Sequence, residues 1–210
     1  MANSVRFHPW IARLYDYINV YFEHRQAPAH RAYLAEGLSG TVVEIGAGTG
    51  TMLPYLEREA GSLSYYAIEP DRGMRQQVTE RLASASFDGD IVTARAENLP
   101  LADGCADAVL VSNVFCSIPD VDRALDEIAR VLAPAGEFRF FEHVRSDGLI
   151  GRSQDLLTPI WRRAGGNCHL NRSFLPRVTD HPALALVDAT THTAGHYPIR
   201  EFARGCARPA

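Results

Sequence analysis

The chain has 210 residues, with 21 Lys plus Arg against 25 Asp plus Glu and a formal net charge of −4. That length suits one large domain, or a domain with an added lid, and it buries a substantial core without disulfides. The mild acidic excess comes without a long charge run or a clustered basic face, which argues against a nucleic-acid partner. No stretch approaches 18 uninterrupted apolar residues, and "MANSVRFHPW" lacks the charged start and apolar run of a signal peptide. No membrane partner is expected, and the expected compartment is the cytoplasm. Cys105, Cys116, Cys168 and Cys206 form no CxxC pair, so the spacing predicts reduced thiols and no metal site.

In chain order, residues 10–24 place Ile11, Leu14, Ile18 and Phe22 at helical spacing among the aromatics Trp10, Tyr15, Tyr17 and Tyr21. A second short helix is predicted over 28–37, with Pro28 at its start and Gly37 near its end. The pair either packs on the main body or lids a ligand. "TVVEI" (41–45) is a short apolar strand running into glycines. A helix follows over 51–60, its first turn disturbed by Pro54. "SYYAIE" reads as a strand, 71–84 as a helix and "DIVTA" as a strand. "ADAVLVSNV" reads as a strand buried on both faces. Residues 119–132 form an amphipathic helix on Val121, Leu125, Ile128 and Leu132, ended by Pro134 and Gly136, before the strand "EFRFFEHV". Residues 148–164 look helical, 165–182 irregular, and two late strands are predicted near 184–192 and 199–206. The alternation of strand and helix implies an α/β fold with a mostly parallel sheet covered by helices on both faces.

The glycine turn decides what is held. A dinucleotide fingerprint requires G-x-G-x-x-G after the first strand. Gly46, Gly48 and Gly50 instead fall at G-x-G-x-G, and Thr51 stands where the last glycine is due. Glu44, two positions before the first glycine, is poorly placed for a pyrophosphate, because like charges repel at short range. It suits a ligand carrying an ammonium or sulfonium, and S-adenosylmethionine carries both. Glu69, at the end of the second strand, is placed to accept both ribose hydroxyls. Pro70 and Met74 beside it are assigned to the cofactor as well. In "ARAENLPLADG", the backbone near Ala96 and the side chain of Glu97 are candidates for the adenine edge, or else a plain turn. Asn113, after the fourth strand, completes the expected cofactor set.

"VVEIGAGTG", "AIEPD", "AENLPLADGCADAV" and "ALDEIARVLAPAGEF", over roughly 41–142, resemble the class I S-adenosylmethionine-dependent methyltransferases. The resemblance implies a Rossmann-like, seven-stranded sheet whose last strand is antiparallel. It also implies Glu69 as the ribose acid and the three glycines as the cofactor loop. On that basis the chain is expected to be a single methyltransferase domain: an N-terminal helical lid (1–38), a cofactor core (39–145), a substrate-side insertion (146–182) and a closing hairpin (183–210). One departure is Arg95, where many relatives carry an Asp that accepts from the adenine amino group. Arginine has no acceptor. "NVFCSIPD", "FFEHVRS" and "GGNCHLNRSF" resemble, more narrowly, the alkyl thiol S-methyltransferases of the methyltransferase-like group, as a soluble bacterial-type relative.

Ligands of open α/β sheets sit outside the carboxyl ends of the strands. The small-molecule acceptor is therefore expected against Phe115, Cys116, Glu142 and Arg145, beneath Tyr17, Tyr21, Trp161, His169 and Arg172. His143 is either the catalytic base or a structural hydrogen-bonder. A thiol of pKa about 8.5 is roughly 10% ionised near pH 7.5, so lacking a base slows it only about tenfold, near 1.4 kcal/mol. Phenols and alcohols need a base more. A thiol is thus the favoured acceptor, with O- or N-methylation of a small metabolite as the alternative, and a non-catalytic cofactor-binding partner or sensor as the reading from another class.

Overall fold

The computed structural model describes residues 25–59 and 62–210; the predicted helix over 10–24, with Tyr17 and Tyr21, lies outside them. Helix α1 (Ala27–Ala35) has Pro28 in its first turn, where a missing N–H is harmless, and Gly37 follows its end at φ +66. Seven strands form one sheet: β1 (Gly40–Ile45), β2 (Leu63–Ile68), β3 (Gly89–Val92), β4 (Ala106–Ser112), β5 (Leu132–Val144), β6 (Leu184–His196) and β7 (Ile199–Pro209), in the order β3-β2-β1-β4-β5-β7-β6. Pairs from β3 to β5 are parallel, while β7 runs antiparallel between β5 and β6. The expected α/β architecture, with its antiparallel last strand, is present.

The central strand shows why the sheet is covered on both faces. In β4, Val109 and Val111 feed one apolar layer and Ala108 and Leu110 the other, and all four are buried. Side chains alternate across a strand, so an unbroken apolar run needs two covers. Helices α2 (Leu53–Glu59), α3 (Arg72–Leu82) and α4 (Val121–Val131) link the parallel strands. Pro54 falls in the first turn of α2, where it leaves the helix intact. Helix α4 buries Val121, Ala124, Leu125, Ile128 and Val131, and Asp120 caps it by accepting from the Arg123 amide at 3.1 Å.

Two predicted boundaries move. Pro134 and Gly136 do not form the loop that ends α4. Leu132 already takes extended backbone (ψ 132) and pairs with Ala106, so both residues lie inside β5, with the register irregularity between Ala106 and Ala108 on the facing strand. Within the stretch expected to be irregular, Phe174–Thr179 forms a short helix, α6, after the long α5 (Gly148–Ala164). Phe174 and Val178, four apart, both enter the core, and the Phe174 ring lies 4.7 Å from that of Phe115 and 5.2 Å from that of Phe140. The hairpin strands also run past their predicted ends. No helix among the described residues is long and apolar enough to cross a membrane.

Candidate functional site

The expected donor side is built on the turn after β1. Gly46, Gly48 and Gly50 have φ of +67, +57 and +84, backbone that favours glycine. A side chain on Gly46 would strike Val114, so the turn is pressed against the loop leaving β4. Glu69 then fastens the turn to the end of β2: its carboxylate accepts from the Gly48 amide at 2.9 Å and from the Asp71 amide at 2.8 Å. Burial raises its pKa against those two bonds. Glu44 is buried and accepts from the Tyr65 hydroxyl. Burial pushes Glu44 up to about 7, opposed by that hydrogen bond and by the charge of Arg31.

The remaining donor candidates cluster nearby along the chain. Asp71 caps α3 by accepting from the Gly73 and Met74 amides, and Met74 is buried. The Pro70 carbonyl accepts from Arg75 at 2.7 Å. Ala96 is buried, and Glu97 pairs with Arg95 at 3.4 Å. The turn after β3 is held from α4: Glu127 accepts from the Leu99 amide at 2.7 Å, and Arg130 donates to the Leu99 and Leu101 carbonyls at 3.0 and 2.8 Å.

The expected acceptor side comprises the carboxyl ends of β4 and β5. Asn113 leaves β4 at φ +60, unusual for a residue with a side chain, and its amide donates to the Phe141 carbonyl at 2.9 Å. The Val114 amide donates to Glu142 at 2.7 Å. A later segment is stapled onto this loop: the His169 amide donates to the Cys116 carbonyl (2.8 Å), the Asn167 amide group to the Ser117 carbonyl (2.9 Å) and Arg172 to the Ile118 carbonyl (2.8 Å). These bonds carry Cys168 to 3.3 Å from His143 Nε2, and the ligating atoms of Cys116, His143 and Cys168 all lie within 4.8 Å of one another. All three side chains are buried.

The cluster is electrostatically coupled. A hydrogen bond to Cys168 and burial push the Cys116 thiol well up. Cys168 is lowered by that bond from Cys116, against burial and with help from the Trp161 indole. Burial disfavours a charged His143, but the charge and hydrogen bond of Cys116 outweigh it and raise the imidazole. Glu142, fully buried, is pushed by burial and the Cys116 charge to about 8. Among the described residues, Ser112 Oγ, Asn113 Oδ1, Glu142 Oε2 and Arg172 Nε are buried and have no hydrogen-bond partner. Buried polar atoms are rarely left so.

Not every expected residue joins this cluster. Phe115 is fully buried in the apolar layer with Phe138 and Phe174. Arg145 is engaged by Asp155 through bonds of 3.1 and 2.8 Å. His169 Nδ1 lies 3.0 Å from the Cys116 carbonyl and 3.2 Å from Arg172, with burial the main cause of its lowered pKa. In the sequence Cys168 stands out only as one of four thiols without a CxxC partner, and Ser112 and Asp155 carry no local signal. Cys168 meets partners 25 and 52 positions earlier, a separation that no spacing rule reads.

Residues 43–140 match the family model described as a methyltransferase domain. The chain is 31% identical over 140 residues to the thiol S-methyltransferase TMT1B of Rattus norvegicus, covering 63% of this chain and 55% of that protein. It is 33% identical over 169 residues to the sarcosine/dimethylglycine N-methyltransferase of Halorhodospira halochloris, covering 77% and 58%. The chain thus spans about half the length of the curated relatives it matches. Among solved structures, the geranyl diphosphate C-methyltransferase of Streptomyces coelicolor A3(2), in complex with S-adenosyl-L-homocysteine, superposes with a TM-score of 0.69 at 14% identity, covering 87% of this chain and 77% of that one, which is a likeness of fold. Residues 43–140 thus form a methyltransferase domain, similar to those of S-adenosylmethionine-dependent methyltransferases and with S-adenosylmethionine as its cofactor.

Proposed function

We propose that the protein transfers the methyl group of S-adenosylmethionine to a small-molecule thiol. The observation that carries this reading is the acceptor end itself: a buried Cys116–His143–Cys168 cluster beside Arg172, whose buried Nε has no partner among the described residues. A guanidinium in a sealed site favours an anionic sulfur, and a thiol needs little help to ionise. The likeness to thiol S-methyltransferases supports the same acceptor, while the comparable likeness to an N-methyltransferase favours amines as the rival.

On the donor side, Glu44 faces the ammonium and sulfonium end and Glu69 the ribose, with Gly46, Gly48 and Gly50 letting the backbone approach. Met74, Pro70, Ala96, Glu97 and Asn113 line the nucleoside. The reaction is an in-line displacement. The thiolate sulfur forms a bond to the methyl carbon as the carbon–sulfonium bond breaks, and its electron pair stays on the departing sulfur to give S-adenosylhomocysteine and a thioether. The thiol proton leaves through His143, the one imidazole buried within the cluster. Since the donor arrives activated, alignment and exclusion of water are what the protein must supply. The four free cysteines fit a reducing, cytoplasmic setting.

The test is turnover of labelled S-adenosylmethionine against matched panels of alkyl thiols, phenols and amines. Label should pass to thiols with the highest kcat/KM. Transfer confined to amines or phenols overturns the thiol reading. Cofactor binding without transfer to any acceptor favours a non-catalytic sensor.

A further inference from the structure

Cys116, His143 and Cys168 arrive from three separate parts of the chain: the loop after β4, the end of β5 and the segment after α5. A tetrahedral zinc ion with Zn–S near 2.3 Å and Zn–N near 2.0–2.1 Å sets its ligands about 3.8 Å apart for S···S and about 3.6 Å for S···N. The Cys168 sulfur lies 3.3 Å from His143 Nε2, and no pair of the three atoms exceeds 4.8 Å. The set therefore reaches zinc geometry by adjustments of about 1 Å or less. Two sulfurs and an imidazole also form a donor set that selects zinc over hard cations, and three protein ligands leave one exchangeable position.

We propose that Cys116, His143 and Cys168 bind one zinc ion whose fourth position receives the acceptor thiol. The zinc part stands on the geometry alone; the fourth-ligand part rests on the thiol reading above. Binding exchanges two thiol protons for the metal, leaving a neutral zinc–dithiolate–imidazole unit. With zinc bound, His143 is a ligand and no longer the base: an incoming thiol releases its proton to solvent on coordination and brings the unit to a charge of −1. Arg172, within electrostatic reach of both cysteine sulfurs, offsets that charge. The coordinated sulfur keeps an electron pair for the methyl carbon. Once methylated it is a neutral thioether, a weak ligand that leaves.

The full-length protein, purified without chelator, should hold about one zinc per chain by elemental analysis. Cobalt(II) exchanged for the zinc should give visible bands of a four-coordinate ion and near-ultraviolet thiolate-to-cobalt absorption. Added alkyl thiol should shift that absorption. Cys168→Ser should lose about half the thiolate absorption, one of two sulfurs being gone. Because either cysteine variant risks misfolding, the wild-type cobalt spectrum and the zinc-dependent rise of its Tm are read independently. Absence of zinc together with no cobalt–thiolate absorption overturns the site, as does unchanged metal content in the Cys116→Ser, Cys168→Ser double variant. Full-rate thiol methylation by chelator-stripped protein overturns the role for zinc while leaving the thiol acceptor standing. A metal-loaded protein that adds no thiol to its cobalt and methylates only amines supports the site but overturns the fourth-ligand proposal and the thiol reading with it.

Discussion

The Tyr65 hydroxyl donates a hydrogen bond to the Glu44 carboxylate, and both side chains are sealed in the core below the glycine turn. Burial brings Glu44 to about 7. Near neutrality the cofactor-free protein is then split between a neutral and a charged Glu44, and a cationic ligand selects the charged one. Affinity for S-adenosylhomocysteine should rise as pH increases through about 7 and level off above it, with proton release on binding. Glu44→Gln should flatten that rise and weaken binding by about 1.5–3 kcal/mol, the scale of a hydrogen bond to a charged group. Tyr65→Phe removes a bond that lowers the Glu44 pKa, so its transition should move to higher pH. Calorimetry from pH 6 to 8 checks all three. Equal pH dependence in wild type and Glu44→Gln would remove Glu44 from the cationic end.

Glu69 has two tasks that must be separated. Its oxygens already hold the Gly48 and Asp71 amides, and each has further lone-pair capacity for a ribose hydroxyl. Glu69→Ala should weaken S-adenosylhomocysteine by about 1–3 kcal/mol and also loosen the turn. Adenine-bearing ligands without the ribose hydroxyls provide the control: a 2′,3′-dideoxy analogue should lose little further affinity in Glu69→Ala. A full additional loss would mean that the carboxylate acts only on the loop.

How much of this was legible in the sequence follows from how far apart the deciding residues lie. The glycine turn and Glu69 are local signals, and they are placed as the spacing implies because one strand and one turn fix them. The α/β alternation is legible for the same reason: each helix face and strand run carries its own period. Failures began where a partner is distant. Nothing around Pro134 reports that Leu132 will pair with Ala106, so an apparent loop is read where β5 runs. Helix α6 is a six-residue segment held by Phe174 packing on Phe115 and Phe140, which no local window contains. The cysteines are the least legible, since Cys116 and Cys168 lie far apart in the chain and only the folded loops bring them to His143.

Arg139 offers a test of how α1 is attached. From β5, its guanidinium donates to the Tyr33, Leu34 and Glu36 carbonyls at 3.3, 3.4 and 2.5 Å, satisfying groups that a helix end leaves open. Arg139→Met keeps most of the stem and removes the charge and donors. The loss should be about 1.5–3 kcal/mol in urea unfolding, since charged donors to partly buried carbonyls are replaced by none. It should be accompanied by faster amide exchange in α1 than in β4. Loss below about 0.5 kcal/mol would show that apolar packing of Leu34 and Ala35 alone docks the helix.

His30 makes stability depend on acid in a direction that its surroundings fix. Its ring stacks on Phe141 with centroids 4.2 Å apart, and Nδ1 faces Arg204 at 3.4 Å, with His192 tilted against it at 4.9 Å. Burial, then the charges of Arg204 and His192, lower its pKa to about 4 from an ordinary 6.5. The unfolded chain therefore takes up the proton first as pH falls. The stabilising contribution is complete above about 6.5 and drains away as pH drops towards 4. Burial and the Arg204 charge also lower His192, so the two histidines act in the same direction. His30→Gln should flatten the fall of unfolding free energy between pH 6.5 and 4, while lowering stability at pH 7.5 by the lost stacking on Phe141. Carboxylates titrate in the same window in both proteins, so the difference between their urea midpoints at pH 4.5, 5.5, 6.5 and 7.5 isolates the histidine. Parallel profiles would mean that His30 accepts its proton as readily folded as unfolded, and that the Arg204 and Phe141 contacts do not hold it neutral.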